Sequence, residues 1–498
     1  MGFKSAFSSY FNLTIAAAGA GLLAYPFACQ QQGIVLCIIL TLVFALINVF
    51  TDFVIVETGR LFRDHLSDGN FDTLIHFAVG PRLARWASSS IVVGSFGALV
   101  GYLIVVGDLA SGPMLEHLGC PEIGGVGCFF ASRGFVIPFV AFVVTLPLSL
   151  IKKVESLGHS SVLATLTVLA VCFIVAFKGA KRISQGGLIT VVSSTAQSSH
   201  DEPDEVILFR WSRSIFLGIP ISIFSLGNHM QILPIYLGHA EGSWEDKVFP
   251  RVVQASVSTC LVIYLTTGVL GYASFTTTTA SDVMKNLPND AATIAGKVLL
   301  AIHLLLAFPI LFYPAKSTLL MAAGAAEGPS IFGRVCGYAS KSAVVVPVVV
   351  TGFASLLAVS APQVSLVFGL LGATVATFQI YTCPGLLLLN WSRALGGDSK
   401  FLSLEGLPLG SLERLRAERW GLARVSSITG EGEDMKPLLS GGENGVATAP
   451  LSRSPVGSLL FFSSPGALRA FGYFLLAMSF VVCLIGTGTY IESTWGGG

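Results

Sequence analysis

The sequence predicts an all-α polytopic membrane protein of about eleven transmembrane helices. Of its 498 residues, 53% are hydrophobic and only 11% are charged, where a soluble domain carries roughly 25% charged residues. The mean hydropathy is +0.76. The apolar runs are each near the ~20 residues that a bilayer requires. Gly and Pro are scattered through them, which suits helices, since barrel strands would alternate polar and apolar residues.

The spans are expected near residues 10–32, 34–59, 86–110, 134–151, 157–177, 209–236, 252–275, 291–315, 341–360, 363–390 and 467–490. Lys and Arg gather in the loops that share a side with the N-terminus, among them Lys4, Arg60, Lys152, Lys153 and the run from Arg414 to Arg424. That asymmetry places the N-terminus in the cytosol. An odd number of spans then leaves the C-terminal tail on the other side. The N-terminus lacks the basic region, short apolar run and cleavage site of a signal peptide, so the first span is expected to direct insertion itself.

Three regions follow from this layout: a core of spans one to ten over 1–390, a cytosolic and partly disordered loop over 391–466, and an eleventh span with a short non-cytosolic tail over 467–498. The loop is rich in Gly, Ser and Pro. Within it, Asp434, Leu438 and Leu439 have the acidic-x-x-x-Leu-Leu form of an adaptor-read sorting signal, set against a chance match in biased sequence. The stretch FDTLIHFAVGPRLARW, after the second span, is expected to hold a helix lying along the membrane.

The first span, YFNLTIAAAGAGLLAYPFACQQQG, is interrupted at mid-length by Gly19, Ala20 and Gly21, with Pro26 close behind. Gly holds a helix poorly and Pro removes a donor. In lipid, backbone groups freed in this way need partners inside the protein or in a water-filled cavity. The sixth span, IFLGIPISIFSLGNHMQILPIY, is interrupted in the same manner at Ser225, Leu226, Gly227 and Asn228, between Pro220 and Pro234. Two broken spans five apart are the pattern of an inverted-repeat secondary transporter, whose substrate meets the half-helix ends.

Ionisable residues inside spans are functional candidates because burying them in lipid is costly. His229, beside the second break, is read either as a substrate or proton site or as a prop for the freed backbone. His303, among Leu residues, is expected to be packed. Asp52 and Glu57 lie in the second span, and Glu57 is spaced to pair with Arg60. Tyr102 and Asp108 of the third span are candidates for lining an access path. Lys316 is expected to snorkel to the cytosolic surface.

Of the nine Cys, Cys29, Cys37, Cys172, Cys260 and Cys383 lie in apolar runs and are expected to act as small buried hydrophobes. Cys120 and Cys128 share an outer loop and are a candidate pair in an oxidising compartment. A net charge of +1 argues against a nucleic-acid partner. No P-loop is present, which argues against an ATP-driven pump of that type. No nucleophile–base or metal signature supports an enzyme, and no cofactor is implied.

With the breaks in place, GAGLLAYPFACQQQG and IPISIFSLGNHMQILPIY resemble the first- and sixth-span signatures of the amino acid/auxin permease family. TTGVLGYASF, HLLLAFPILFYPAKSTL and VFGLLGATVATFQIYTCPGLLLL resemble its seventh, eighth and tenth spans. The resemblance runs in order over residues 8–390. It implies a LeuT-like five-plus-five fold with one accessory helix, and transport of amino acids by alternating access. It also implies that the substrate carboxylate meets amides around Gly19, Ala20 and Gly21, and that the ammonium meets carbonyls around Phe224, Ser225 and Leu226 beside Gly227. Further lining residues would come from spans three, eight and ten. Asn12 matches a residue that sodium-coupled members carry, but their second Asn is Ile15 here and their Thr before the first Pro of span eight is Ala307. Sodium requires oxygen ligands, so the resemblance implies proton coupling or uncoupled exchange. Leu237 and Gly238 replace a Glu-Leu pair that often follows the sixth-span signature. A vacuolar or endolysosomal membrane is favoured over the plasma membrane. A substrate sensor, or a carrier of a non-amino-acid carboxylate or amine, stays open.

Overall fold

The computed structural model describes residues 2–19, 21–62, 66, 69–117, 126–150, 158–185, 190–192, 205–239, 248–325, 334, 337–338, 341–342, 344–361, 363–395 and 465–495. Among the described residues, eight helices are individually long and apolar enough to cross a bilayer. Ser5–Ala17 and Gly21–Gln32, bent by 53° at the first break, together form a further span. Two shorter apolar helices, Arg133–Ser149 and Val345–Ser360, occupy the fourth and ninth places. The remaining spans, in order, are Ile34–Arg60, Pro81–Leu115, Ser161–Gln185, Ile215–His239, Phe249–Thr278, Ala291–Ala325, Val364–Arg393 and Pro465–Ser493.

The two broken spans run antiparallel. Ser5 near the start of the first meets His239 at the end of the sixth, with Ser5 Oγ donating to the His239 carbonyl at 3.0 Å. Gly21 lies against Ser225 at mid-length. At the far end, Gln32 meets Ser222 and the Gln31 carbonyl accepts from Ser214 Oγ at 3.1 Å.

The packing of the other spans has a matching symmetry. The first span packs on the fifth and seventh, as the sixth packs on the tenth and second. The third packs on the tenth and ninth, as the eighth packs on the fifth and fourth. Each contact is returned when a span of the first half is exchanged with the span five places later. This is the relation of two five-span halves. The eleventh span lies outside it, against the tenth and sixth, where Tyr490 donates to the Leu217 carbonyl at 2.6 Å.

Small residues let the backbones approach. A Cβ on Gly472 would stand 2.9 Å from the Gly385 carbonyl, and one on Gly385 would stand 3.1 Å from the Gly472 carbonyl. In lipid, dispersion at such close crossings replaces the hydrophobic drive between helices.

Several expectations are corrected. Cys29 and Cys37 are joined in a disulfide with their Cα atoms 5.2 Å apart, because Gly33, at φ +83°, folds the start of the second span back onto the end of the first. Cys172, Cys260 and Cys383 are buried and free. The helix Phe71–Ala78 turns its apolar side into the protein. Phe71, Leu74 and Ile75 are buried, and Asp72 accepts from Ser88 Oγ at 2.6 Å. The PRLARW segment instead begins the third span, whose helix starts at Pro81. The sixth span starts at Ile215 rather than near 209, after a short strand, Glu205–Ile207, that pairs in parallel with Thr190–Val192. Lys316 does not snorkel: it is buried and donates to the Ser149 carbonyl at 2.9 Å, closing the end of the fourth span. Glu57 and Arg60 do pair, at 2.7 Å. His303 is packed, with Nδ1 2.8 Å from the Ala164 carbonyl. Cys120, Asp434, Leu438 and Leu439 lie outside the described residues.

Candidate functional site

The helix of the first span stops at Ala17, and a new one starts at Gly21. Between them the Gly19 amide turns back to the Ala17 carbonyl at 2.9 Å. The first amides of a helix have no carbonyl of their own helix one turn earlier; here Leu22 bonds to the Gly19 carbonyl at 3.2 Å. A helix N-terminus of this kind is suited to an anion. In the sixth span the first half ends at Leu226, with Gly227 extended at φ −72°, ψ 120°. The second half starts at His229. Its preceding carbonyls form a helix C-terminus, suited to a cation.

The two interruptions open onto one cavity. Gly19, Gly21, Phe224, Ser225, Gly227, His229 and Tyr102 all line it. Closeness explains the glycines: a Cβ on Gly19 would stand 2.6 Å from Tyr102 Oη, and one on Gly21 would collide with Ser225 Oγ. Phe224 stacks on Phe368 with ring centroids 4.9 Å apart. Ser225 Oγ, close beside Gly21, donates to the Ile221 carbonyl at 2.7 Å.

Four candidate residues stand elsewhere or are not described. Leu226 is buried in the apolar core, and its side chain is not among those lining the cavity. Asn12 is also buried away from the lining, with Oδ1 unpartnered among the described residues. Asp108 is not among the residues lining the cavity; inside the last part of the third span, it stands 3.4 Å from Arg133 Nε and 2.8 Å from Lys285 Nζ. Arg133 in turn donates to the carbonyls of Ala358 and Ala361, at the end of the ninth span. Ala20 lies outside the described residues.

The rest of the wall comes from the third, seventh, eighth and tenth spans. Gly94 and Ala98 join Tyr102 from the third, and Leu311 comes from the eighth. Val375, Ala376, Gln379 and Ile380 come from the tenth, which is wound as π-helix over Gly372–Ala376 and Phe378–Thr382. Such bulges rotate side chains off the regular helical face and recur at functional sites. Tyr264, from the seventh span, is the contribution least evident beforehand. Its hydroxyl donates to the Ala17 carbonyl at 2.7 Å, satisfying an acceptor that the first break exposes.

Behind His229 lies a buried polar cluster. Thr51 Oγ1 and His229 Nε2 are 2.7 Å apart. The other ring nitrogen, Nδ1, is 3.4 Å from Asp52 Oδ1, and neither side chain has exposed surface. Asn48 donates to Asn228 Oδ1 at 3.2 Å and reaches Asp52 Oδ2 at 3.4 Å. Asn48, Thr51 and Asp52 share one face of the second span, so this span braces the second break with a carboxylate.

Residues 3–394 match the family model described as transmembrane amino acid transporter protein. The chain is 26% identical over 411 residues to the amino acid transporter AVT6E of Arabidopsis thaliana, covering 80% of this chain and 77% of that protein. It is 25% identical to vacuolar amino acid transporter 5 of Schizosaccharomyces pombe, covering 80% and 88%. It is 23% identical to solute carrier family 38 member 8 of Homo sapiens, covering 84% and 90%. With the family model spanning the whole ten-span core and both breaks, the chain belongs to the transmembrane amino acid transporter family.

Proposed function

We propose that this transporter couples amino acid movement to protons, with Asp52 and His229 holding the coupling proton. The observation that carries the reading is the buried pair itself, a carboxylate and an imidazole 3.4 Å apart with no exposed side-chain surface. With one proton between them the pair is neutral overall; without it a net negative charge is left in the protein interior, at a cost of several kcal/mol. The proton therefore leaves only when a conformational change admits water. Because His229 starts the half-helix that lines the cavity, loading of the pair and opening of the site move together. Ile15 and Ala307, both buried and without side-chain oxygen, support the proton over sodium.

In this reading the substrate carboxylate lies at the amides around Gly19 and Gly21, in the break that also includes Ala20. The ammonium lies at the carbonyls of Phe224, Ser225 and Leu226. Residues 1–390 are the transport core, 391–466 a cytosolic loop and 467–498 the accessory span with its tail. A vacuolar or endolysosomal membrane fits the relative named as vacuolar. Asp434, Leu438 and Leu439 are the candidate sorting signal.

The test is uptake of labelled amino acids into proteoliposomes under an imposed proton gradient or sodium gradient, with the other ion clamped. Stimulation by protons alone is expected. Stimulation by sodium alone would overturn the coupling assignment.

A further inference from the structure

The cavity wall holds a polar group that the backbone-binding arrangement does not use. Gln231, in the first turn of the helix His229–His239, lines the cavity and is only 2% exposed. Neither its amide nitrogen nor its amide oxygen has a hydrogen-bond partner among the described residues. Leaving a buried polar group unpaired costs about 1–3 kcal/mol. Its chain neighbour Met230, of similar size, lines the same cavity without that cost. A second carboxamide, Gln379, also lines the cavity, and its Nε2 donates to Ser90 Oγ at 3.2 Å. The two walls converge near Gly94, where a Cβ would stand 3.7 Å from Met230 Cε and 3.8 Å from Gln379 Nε2.

No Asp, Glu, Lys or Arg is among the lining residues. A cationic substrate side chain would enter without a carboxylate, and an anionic one with no lysine or arginine to meet it and only His229, already engaged with Thr51 and Asp52, as a base; each faces a large desolvation cost. An aliphatic side chain would enter readily but would leave Gln231 unpaired. A side chain ending in an uncharged group that both donates and accepts satisfies both ends of the Gln231 amide.

Building on the amino acid transport reading, we infer that Gln231 determines specificity, selecting amino acids whose side chains end in a carboxamide. The amides and carbonyls at the two breaks hold the common part of the substrate. Gln231 reads what distinguishes one substrate from another. A site built around such a hydrogen bond discriminates far more strongly than one built on apolar fit.

The test is counterflow exchange in proteoliposomes, with unlabelled glutamine, asparagine, methionine, leucine, lysine and glutamate competing against labelled glutamine. The wild type is expected to favour glutamine and asparagine over the other four. Gln231→Met, which keeps the length and removes both polar ends, is expected to lower the glutamine-to-methionine preference by about tenfold or more, corresponding to at least ~1.4 kcal/mol. Gln231→Asn, one methylene shorter, is expected to keep carboxamide selectivity and move the preference from asparagine toward glutamine. Equal loss of all substrates in both variants, in protein that remains monodisperse, would overturn the assignment. So would an unchanged ranking. Wild-type exchange of leucine or lysine as readily as glutamine would sink the specificity inference while leaving amino acid transport intact. Absence of exchange for every amino acid would instead overturn the transport reading beneath it.

Discussion

His229 Nδ1 stands 3.4 Å from Asp52 Oδ1, joining the break in the sixth span to the middle of the second. The two atoms face each other without an aligned hydrogen bond, and neither has another hydrogen-bonded partner among the described residues. If this pair carries the coupling proton, Asp52→Asn should abolish accumulation driven by a proton gradient while leaving exchange between equal pools in place. His229→Gln should do the same, because it removes the titrating ring and keeps a donor for Thr51. A loss of at least about tenfold in gradient-driven uptake is expected, equivalent to ~1.4 kcal/mol or more. Paired measurements of accumulation and exchange check it. Retained proton stimulation in both variants would exclude the pair.

Gly21 and Ser225 face each other across the two breaks, so the site has no room for a large side chain at the first position. Gly21→Leu is expected to abolish uptake with normal membrane insertion. Gly21→Ala should reduce it less severely, at a packing cost of about 1–3 kcal/mol. Ser225→Gly in the Gly21→Ala background should restore part of the activity, because the built Cβ meets Ser225 Oγ and then Ser225 Cβ at 3.1 Å. Labelled uptake normalised to inserted protein measures all three. A double variant no better than the single one would show that the collision is not the cause.

The breaks were legible in the sequence because Gly19 to Gly21 and Gly227–Asn228 interrupt long apolar runs, and lipid gives such interruptions no solvent to bond with. Asp52 was legible as a charge in a span, but its partner was not: the second and sixth spans meet through folding, and no spacing along the chain records it. Gln231, Gln379 and Tyr264 are uncharged residues in apolar runs, and nothing in their local sequence says that they face the cavity. A Gln in the middle of a span is nevertheless a detectable signal, since its burial must be compensated. Leu226 shows that a residue can serve the break through its backbone alone. It belongs to the break by position, yet the turn directs its side chain into the core. Asp108 was read from its own span alone, whereas Arg133 and Lys285, which hold it, arrive from later segments.

Gly372, in the π-wound part of the tenth span, lies where a Cβ would collide with the Pro220 carbonyl of the sixth. The obstacle is the Pro220 backbone, so neither a rotamer change nor a small side-chain shift relieves it. Gly372→Ala is expected to destabilise the protein by about 3 kcal/mol and to lower the melting temperature in detergent, with uptake reduced in proportion to folded protein. An unchanged melting temperature would mean that the two spans are not in close backbone contact.

The turn between the seventh and eighth spans carries a pH dependence of its own. Asp282 caps the turn Val283–Lys285, accepting from the Met284 amide at 2.9 Å. Its second oxygen is buried without a partner among the described residues. Burial pushes its carboxyl up to about 6, against the opposing bond from Met284 and the charge of Lys285. Because the folded value lies above the unfolded one of roughly 3.9, the folded state holds this proton more tightly. The resulting stability is fully present below pH ~4 and is lost as pH rises through about 6, amounting to at most about 3 kcal/mol. Asp290 acts in the other direction: its bond with Lys178 draws the carboxyl down to about 2, so that contribution is present at neutral pH and fades in acid. Asp282→Asn separates the two, since the amide oxygen can still accept from Met284 and no longer titrates. The variant should lose the decline in stability between pH 4 and 7 that Asp282 causes, and hydrogen exchange over residues 276–290 should become less pH-dependent than in the wild type. Identical pH profiles for the two proteins would show that Asp282 is solvated and ionised throughout.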